Sequence, residues 1–269
     1  MPLWNRGDVI GAIARLEEAY VRAEAAGEPT LGTYIWNLTY HGLSIGRVER
    51  AVELVDRLDL EWPEDLRRSL LIRSALAHYR GDYQQALALA EEALSHAATG
   101  RAASIIGNMV ADALLNLGRL DEAATIYRQM EVSYRERDRL VEVNDTVKAL
   151  GLVALRRGEP ESARKRILKA LEGNRRDPSP FVFWISFHAV AEWFDATGDP
   201  ETAATVLAHC AALTEERSYD PAALYFAPLV TLDTLAERID PARFATLVTA
   251  GRAATTEDLA TELLEKLTT

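Results

Sequence analysis

The sequence predicts an all-α fold of repeated helix–turn–helix units, and three features support this. A turn glycine recurs along the chain at spacings of 39, 35, 37, 40 and 40 residues, and an alanine follows each glycine five positions later. A small side chain there allows the two helices of a repeat to lie close together. Good helix formers dominate, and runs of β-branched residues with period-two alternation are missing. The glycines are Gly7, Gly46, Gly81, Gly118, Gly158 and Gly198, and the alanines are Ala12, Ala51, Ala86, Ala123, Ala163 and Ala203.

Residues 74–97 show the repeat most clearly, as one helix (A), a Gly-Asp turn and a second helix (B). The first repeat is incomplete, because only six residues precede Gly7 and residues 8–26 form its helix B. The inner face of this helix, with Ile10, Ile13 and Leu16, is expected to be exposed. Either the chain is cut from a longer parent, or this end docks on a partner or a second copy.

The later repeats carry recognisable helix starts. We expect Thr30 to cap the second repeat and Pro63 to begin the third. Ser179 is expected to cap, and Pro180 to open, a helix rich in aromatic residues. Because aromatic residues occur on more than one face of that helix, they belong either to the core or to an oligomer or partner surface, and the core is favoured.

The repeat weakens after Glu216. Residues 218–240 are expected to form a seventh A-like helix, and two short closing helices follow. At the start of the last helix, Thr255 with Asp258 three residues later is close to a capping box.

Composition and charge exclude several classes of function. The formal net charge is −11, from 41 acidic and 30 basic residues, so most of this surface would repel nucleic acid. A single cysteine, Cys210, fits a reducing compartment. No apolar stretch predicts a membrane span and the N-terminus is not a signal peptide, so we expect a cytoplasmic protein. Phosphate-binding loops, HExxH, paired-cysteine and GxSxG motifs are missing, and no cofactor or metal is expected.

The repeat pattern resembles the tetratricopeptide repeat, a helix–turn–helix of 34 residues with small side chains where its two helices meet. The small residues match well, but only one repeat has the family's aromatic residue on helix A, which is Phe194. The resemblance covers roughly residues 1–216. It implies a right-handed α-solenoid of about six degenerate repeats, with residues 217–269 as C-terminal closing helices.

The C-terminal end carries a second, shorter resemblance. It is similar to the end of the helical-repeat region in large bacterial regulators of the LuxR, SARP and signal-transducing ATPase kinds. Those often close with a phenylalanine, a Gly-Arg-Ala sequence and an acidic helix start. The matching residues are Phe244, Gly251, Arg252, Ala253, Thr255, Glu257 and Asp258.

The tetratricopeptide resemblance also implies that the A helices line a concave groove. The positions that face it lie about thirteen, ten, six, three and two residues before the turn glycine. A peptide, a protein or a small molecule is the expected occupant. The residues that we predict to bind it are Trp36, Tyr40, His78, Asn108, Asp112, Lys148, His188 and Glu192.

Two pairs among these residues carry specific expectations. Trp36 and Tyr40 are four residues apart on one helix face and either stack on a ligand or pack on the next repeat, the second being favoured. His188 and Glu192 have the same spacing. A hydrogen-bonded pair is favoured for them over half a metal site or an acid–base pair, since no second ligand pair is visible.

The sequence therefore favours a non-enzymatic binding domain, the sensor or regulatory part of a bacterial signal-transduction or transcription regulator. Ligand binding would switch an attached effector module. A free-standing scaffold that assembles as a homo-oligomer is one alternative. A biosynthetic enzyme that uses the groove and the His188–Glu192 pair is another.

Overall fold

The computed structural model describes residues 8–28, 31–96, 101–176 and 179–268. Within these ranges the chain forms fourteen α-helices and one short 3-10 helix, with no β-strand, which confirms the predicted all-α solenoid class. No described helix is both long enough and apolar enough to cross a membrane. The helices are α1 Val9–Ala25, α2 Leu31–Leu43, α3 Val48–Glu61, α4 Leu66–Tyr79, α5 Tyr83–Ser95, α6 Arg101–Asn116, α7 Leu120–Arg135, α8 Leu140–Arg156, α9 Pro160–Asn174, α10 Pro180–Ala196, α11 Pro200–Arg217, α12 Leu232–Ala236, α13 Pro241–Ala253 and α14 Thr256–Thr268.

The chain forms two compact lobes. The first lobe contains Asp8–Ile126 together with Tyr219–Ala227, and the second contains Tyr127–Ser218 together with residues 228–268. In the first lobe, α1 to α6 pack successively on one another. In the second, α8, α9, α10 and α11 pack in the same way, and α13 and α14 cover α11 and α9 respectively. The predicted division at residue 216 stays a prediction.

One turn geometry recurs at every described repeat glycine. These five glycines have φ between 72° and 91°, a region that side-chain-bearing residues rarely adopt. After each glycine, the next backbone N–H donates to the carbonyl oxygen five residues earlier, at 2.8–2.9 Å. This bond is the signature of the Schellman motif, which ends helix A and turns the chain into helix B. Gly7 lies outside the described residues.

The repeated alanines pack where the pattern predicts. Ala51, Ala86, Ala123, Ala163 and Ala203 are at most 1% exposed. At the hairpin of α4 and α5, the hydroxyl of Ser74 also donates to the carbonyl of Ala86 at 2.8 Å. Ala12 in the incomplete first repeat is half-buried. The small residues are therefore structural, and they set the closeness of each hairpin.

Helix starts agree with the sequence in part. Pro180 is the first residue of α10, as predicted, but the hydroxyl of Ser179 makes no capping hydrogen bond, so that part of the expectation is wrong. The third repeat begins its helix at Leu66, after Asp65, rather than at Pro63. Thr30 lies outside the described residues.

The aromatic residues of α10 belong mainly to the core, as favoured. Phe183, Trp184, Phe187 and Phe194 are at most 4% exposed. The indole N–H of Trp184 donates to the hydroxyl of Thr214 on α11 at 3.0 Å. These rings therefore fill the interior of the second lobe.

The prediction of a seventh A-like helix is wrong. Residues 218–231 contain only the 3-10 helix Pro221–Ala223, and the next helix, α12, is five residues long. Pro228 lacks the N–H that a helix needs and keeps Ala227 out of the α region. Leu224 already has the extended dihedrals φ −61° and ψ 135°. The prolines therefore interrupt a stretch whose apolar residues had predicted a helix.

The two closing helices, α13 and α14, are confirmed. The backbone N–H of Asp258 donates to the Thr255 hydroxyl at 3.1 Å, and that hydroxyl donates to the Asp258 carboxylate at 2.7 Å. Gly251 lies where a β-carbon would come within 2.1 Å of the Thr205 carbonyl oxygen on α11. This glycine therefore permits the close packing of α13 on α11, a structural role.

The N-terminal helix is less open than expected. Ile13 is only 1% exposed because α1 packs on α2, so the expectation of an exposed inner face is wrong at that position. Ile10 is 49% exposed. Docking of this end on a partner stays a prediction.

The hairpin geometry predicts the effect of enlarging a repeated alanine. Ala86→Leu should lower the free energy of unfolding by about 1–3 kcal/mol, because the added atoms have no room between α4 and α5. Ala88→Leu, on the exposed side of the same helix, should change it by less than about 0.5 kcal/mol. Urea unfolding followed by circular dichroism measures both. Equal effects of the two substitutions would contradict this packing.

Candidate functional site

An irregular segment of the chain, without α-helix or β-strand, lies against the C-terminal ends of three A helices in the first lobe. This inner segment is Tyr219–Ala227. At its start, the backbone N–H of Asp220 donates to the carbonyl of Ser44, just after α2, at 2.8 Å. The Tyr79 hydroxyl at the end of α4 donates to the Asp220 carboxylate. A β-carbon on Gly46 would lie 2.7 Å from that carboxylate, so the turn glycine also leaves room for it.

Asn116, the last residue of α6, holds the other end of the inner segment by its backbone. Its amide nitrogen donates to the carbonyl of Tyr225 at 2.9 Å, and its amide oxygen accepts from the N–H of Ala227 at 2.7 Å. One side chain thus binds a backbone carbonyl and a backbone N–H that are two residues apart. The amide nitrogen also donates to the carbonyl of Asp112, one turn earlier in α6, which fixes its orientation.

Three large side chains of the inner segment are buried. Tyr219, Leu224 and Phe226 are at most 3% exposed. The predicted site residue His78 lies beside the segment, and burial lowers its pKa to about 4, although hydrogen bonding to the backbone of Leu224 and Tyr225 opposes this. His78 is therefore neutral near pH 7. Burial, with the hydrogen bond and charge of Asp220, raises the pKa of Tyr79 to about 12, so its hydroxyl remains a donor.

The three residues that hold the inner segment share one repeat position. Ser44, Tyr79 and Asn116 each stand two residues before a turn glycine. Sequence reasoning placed this position on the groove but selected none of these residues. The regular spacing was the signal that would have found them, since the same position in successive A helices lies at the same edge.

The other predicted residues of the first lobe remain accessible. Trp36 and Tyr40 stack on each other, with ring centroids 5.5 Å apart and planes at 29°. Tyr40 is 52% exposed, while Trp36 is half-buried. Asn108 and Asp112 on α6 are also half-buried. Their role in ligand binding stays a prediction.

Lys148 in the second lobe is in the interior rather than on an open surface, with 1% exposure. Its ammonium group donates to the Asp145 carboxylate at 2.8 Å and to the Ser186 hydroxyl at 3.4 Å. Asn174 donates to the same hydroxyl at 2.8 Å. The network ties α8, α9 and α10 together, because a buried charge needs such partners.

His188 and Glu192 do not form the expected hydrogen bond. Both ring nitrogens of His188 are inaccessible to solvent and have no hydrogen-bond partner among the described residues. Glu192, 3% exposed, instead accepts at Oε1 from the backbone N–H of Leu229 at 2.9 Å, and its Oε2 is unpartnered. The favoured expectation was wrong because a segment distant in sequence takes the carboxylate.

Burial dominates the electrostatics of this pair. It lowers the pKa of His188 to about 4. It raises the pKa of Glu192 to about 7, although the positive charge of Arg156 and the Leu229 N–H oppose the shift. Among the described residues, no three potential metal ligands come together. A cavity of about 530 Å³ lies on α1 beside Val21, and none of the predicted site residues lines it.

The chain matches no protein-family model, and no curated protein matches it. Solved structures do match. The chain is similar to a Rap protein complexed with Competence and Sporulation Factor, with 12% identity and a TM-score of 0.51 over 94% of this chain and 80% of that one. It also resembles BtubC (BKLC) from P. vanneervenii, with 17% identity and a TM-score of 0.47 over 84% of this chain and 89% of that one. At this identity, the Rap likeness shows a helical-repeat fold that fits the tetratricopeptide type. The resemblance to LuxR- and SARP-type regulators stays a prediction.

The buried carboxyl group predicts a pH-dependent effect of Glu192→Gln. Because the folded pKa of about 7 exceeds the ordinary value of 4.5, the native state holds a proton that the unfolded state releases between these pH values. The contribution of Glu192 to stability therefore falls as the pH rises through that window. Glutamine imitates the protonated form. The free energy of unfolding of the variant, relative to that of the wild type, should therefore increase by on the order of 3 kcal/mol between pH 4.5 and pH 7.5.

Urea unfolding at both pH values measures this difference. Glu265→Gln, at an exposed position of α14, is the matched control and should show no such trend. His188 contributes with the opposite sign, since its pKa is lowered in the folded state. That contribution is common to wild type and variant and cancels in the comparison. A pH-independent difference for Glu192→Gln would contradict the raised pKa.

Proposed function

We propose that this chain is a non-enzymatic recognition domain that binds a protein or peptide partner on the inner surface of its helical repeat. It acts as the sensor or regulatory part of a bacterial signal-transduction or transcription regulator. The observation that carries the proposal is that three successive repeats form hydrogen bonds to one irregular stretch of polypeptide. A surface that holds a backbone in this way has the chemistry that peptide recognition requires.

The polar contacts favour a polypeptide over a small molecule. Asn116 binds one carbonyl and one N–H of the inner segment, groups that every peptide presents. The apolar side chains of Leu224 and Phe226 fill buried sites beside this clamp. Backbone bonds supply affinity and the side-chain sites supply selectivity, as in other modes of extended-peptide recognition.

The Rap neighbour adds support of a coarser kind. It is a helical-repeat structure solved in complex with Competence and Sporulation Factor. A shared fold does not transfer a ligand, so the neighbour supports binding as a class of function and names no partner for this chain.

A non-enzymatic role is favoured by the state of the one residue pair that suggested catalysis. His188 and Glu192 are not hydrogen-bonded to each other, and the nitrogens of His188 are not accessible. A general base must reach the proton that it abstracts, directly or through one water. If the chain had an enzymatic activity based on this pair, His188→Ala would abolish turnover while preserving the helical circular dichroism spectrum.

Regulation would follow from differential binding. A partner that binds one arrangement of the repeats more tightly shifts the population towards it, and an attached effector would respond to that shift. The C-terminal resemblance to large regulators is the sequence feature that favours this role.

The proposed function predicts a binding role for the exposed aromatic residue of α2. Peptides selected from a random display library against the whole chain should lose about tenfold in affinity with Tyr40→Ala, about 1.4 kcal/mol, because aromatic residues dominate such interfaces. Leu60→Ala is the control, since Leu60 is 81% exposed on the B helix of the same repeat. It should change the affinity less than about twofold. Fluorescence anisotropy measures both, and failure to select any binding peptide would contradict the proposal.

A further inference from the structure

We propose that the inner segment is a tethered ligand that a partner peptide replaces. The partner is a peptide with the segment's own pattern, an acidic residue followed four and six positions later by large apolar residues. In the segment these are Asp220, Leu224 and Phe226. The inference rests on the proposed function and names the class of partner and the residues that select it.

The contacts of the inner segment separate into general and selective ones. Ser44 and Asn116 bind backbone N–H and carbonyl groups, which any peptide presents. The Tyr79 hydroxyl binds the carboxylate of Asp220 and selects an acidic residue. Leu224 and Phe226, at 3% and 1% exposure, occupy sites that select large apolar side chains. The surface is thus complementary to a peptide of defined chemistry.

Release of the inner segment disrupts none of the α-helices. It comprises nine residues, Tyr219–Ala227, whose only regular structure is the 3-10 helix Pro221–Ala223. It begins just after Ser218, which has a left-handed φ of 57°, and ends at Pro228. The residues before and after it belong to the second lobe. Local opening of such a stretch costs less than global unfolding.

Because the inner segment is covalently connected to the chain, it competes strongly with a free peptide. A ligand joined by short connections has an effective concentration on the order of millimolar. The apparent affinity of a free peptide is therefore its intrinsic affinity multiplied by the fraction of the chain whose surface is unoccupied. Weakening the inner segment increases that fraction and should restore the full affinity of the peptide. If the inner segment had a purely structural role, weakening it would give no such gain in peptide affinity.

The test uses a fluorescein-labelled peptide with the sequence of residues 218–230 and the whole chain. The variant Leu224→Ala/Phe226→Ala weakens the tethered copy and leaves the receptor surface unchanged, so it should bind the peptide at least tenfold more tightly than the wild type. Adding Asn116→Ala to this variant should remove the gain. Adding Asn37→Ala instead is the matched control, because Asn37 donates to the Thr33 carbonyl within its own helix.

Hydrogen exchange in the wild-type chain provides a second measurement that needs no variant. Excess unlabelled peptide should speed exchange of the Ala227 amide, which Asn116 protects, and leave the amides of α4 and α5 unchanged. A peptide with alanine in place of the leucine and phenylalanine that correspond to Leu224 and Phe226 should have no effect. Unchanged exchange at Ala227, or equal peptide affinity for all variants, would overturn the inference. If library-selected peptides still bind in that case, the proposed function stands without it; if none binds, both fail.

Discussion

The backbone bond that closes each turn is the constraint on which the rest of the structure depends. It fixes where every described A helix of a repeat ends, because the positive φ of the glycine and the bond to the carbonyl five residues earlier occur together. The residue two positions before the glycine is then placed at the same point of each repeat. Ser44, Tyr79 and Asn116 form a row at that point in the first lobe, and this row holds the inner segment.

The sequence predicted the local parts of the fold and failed where distant residues decide. Turn glycines and buried alanines were predictable because each depends on neighbours within one repeat. The prediction of a seventh helix was wrong for two reasons. Prolines interrupt this stretch, and hydrogen bonds from Tyr79 to Asp220 and from Asn116 to Tyr225, across 141 and 109 residues of sequence, hold it in a non-helical conformation. The same limit applies to the site. A repeat position indicates which face a residue occupies but not what covers that face, so Glu192 was expected to be open and is buried under Leu229.

Two buried polar groups in the second lobe show different ways of meeting the cost of desolvation. Lys148 donates to Asp145 and Ser186, and Asn174 donates to the same serine, so that the network connects three helices. Glu192 has one hydrogen bond and an unpartnered oxygen, and its pKa rises to about 7. A carboxyl group with few donors reduces its cost by taking up a proton. Lys148 therefore acts as a structural tie, whereas the charge of Glu192 depends on conditions near neutral pH.

The inner segment is a better guide to function than the fold. Helical repeats bind many kinds of partner, so a structural neighbour at 12% identity restricts the chemistry little. The contacts of the inner segment involve named side chains of this chain, and under the proposal they define what the surface accepts. In the proposed interaction the Asn116 amide binds backbone groups, the Tyr79 hydroxyl favours an acidic side chain, and the buried positions of Leu224 and Phe226 favour apolar ones.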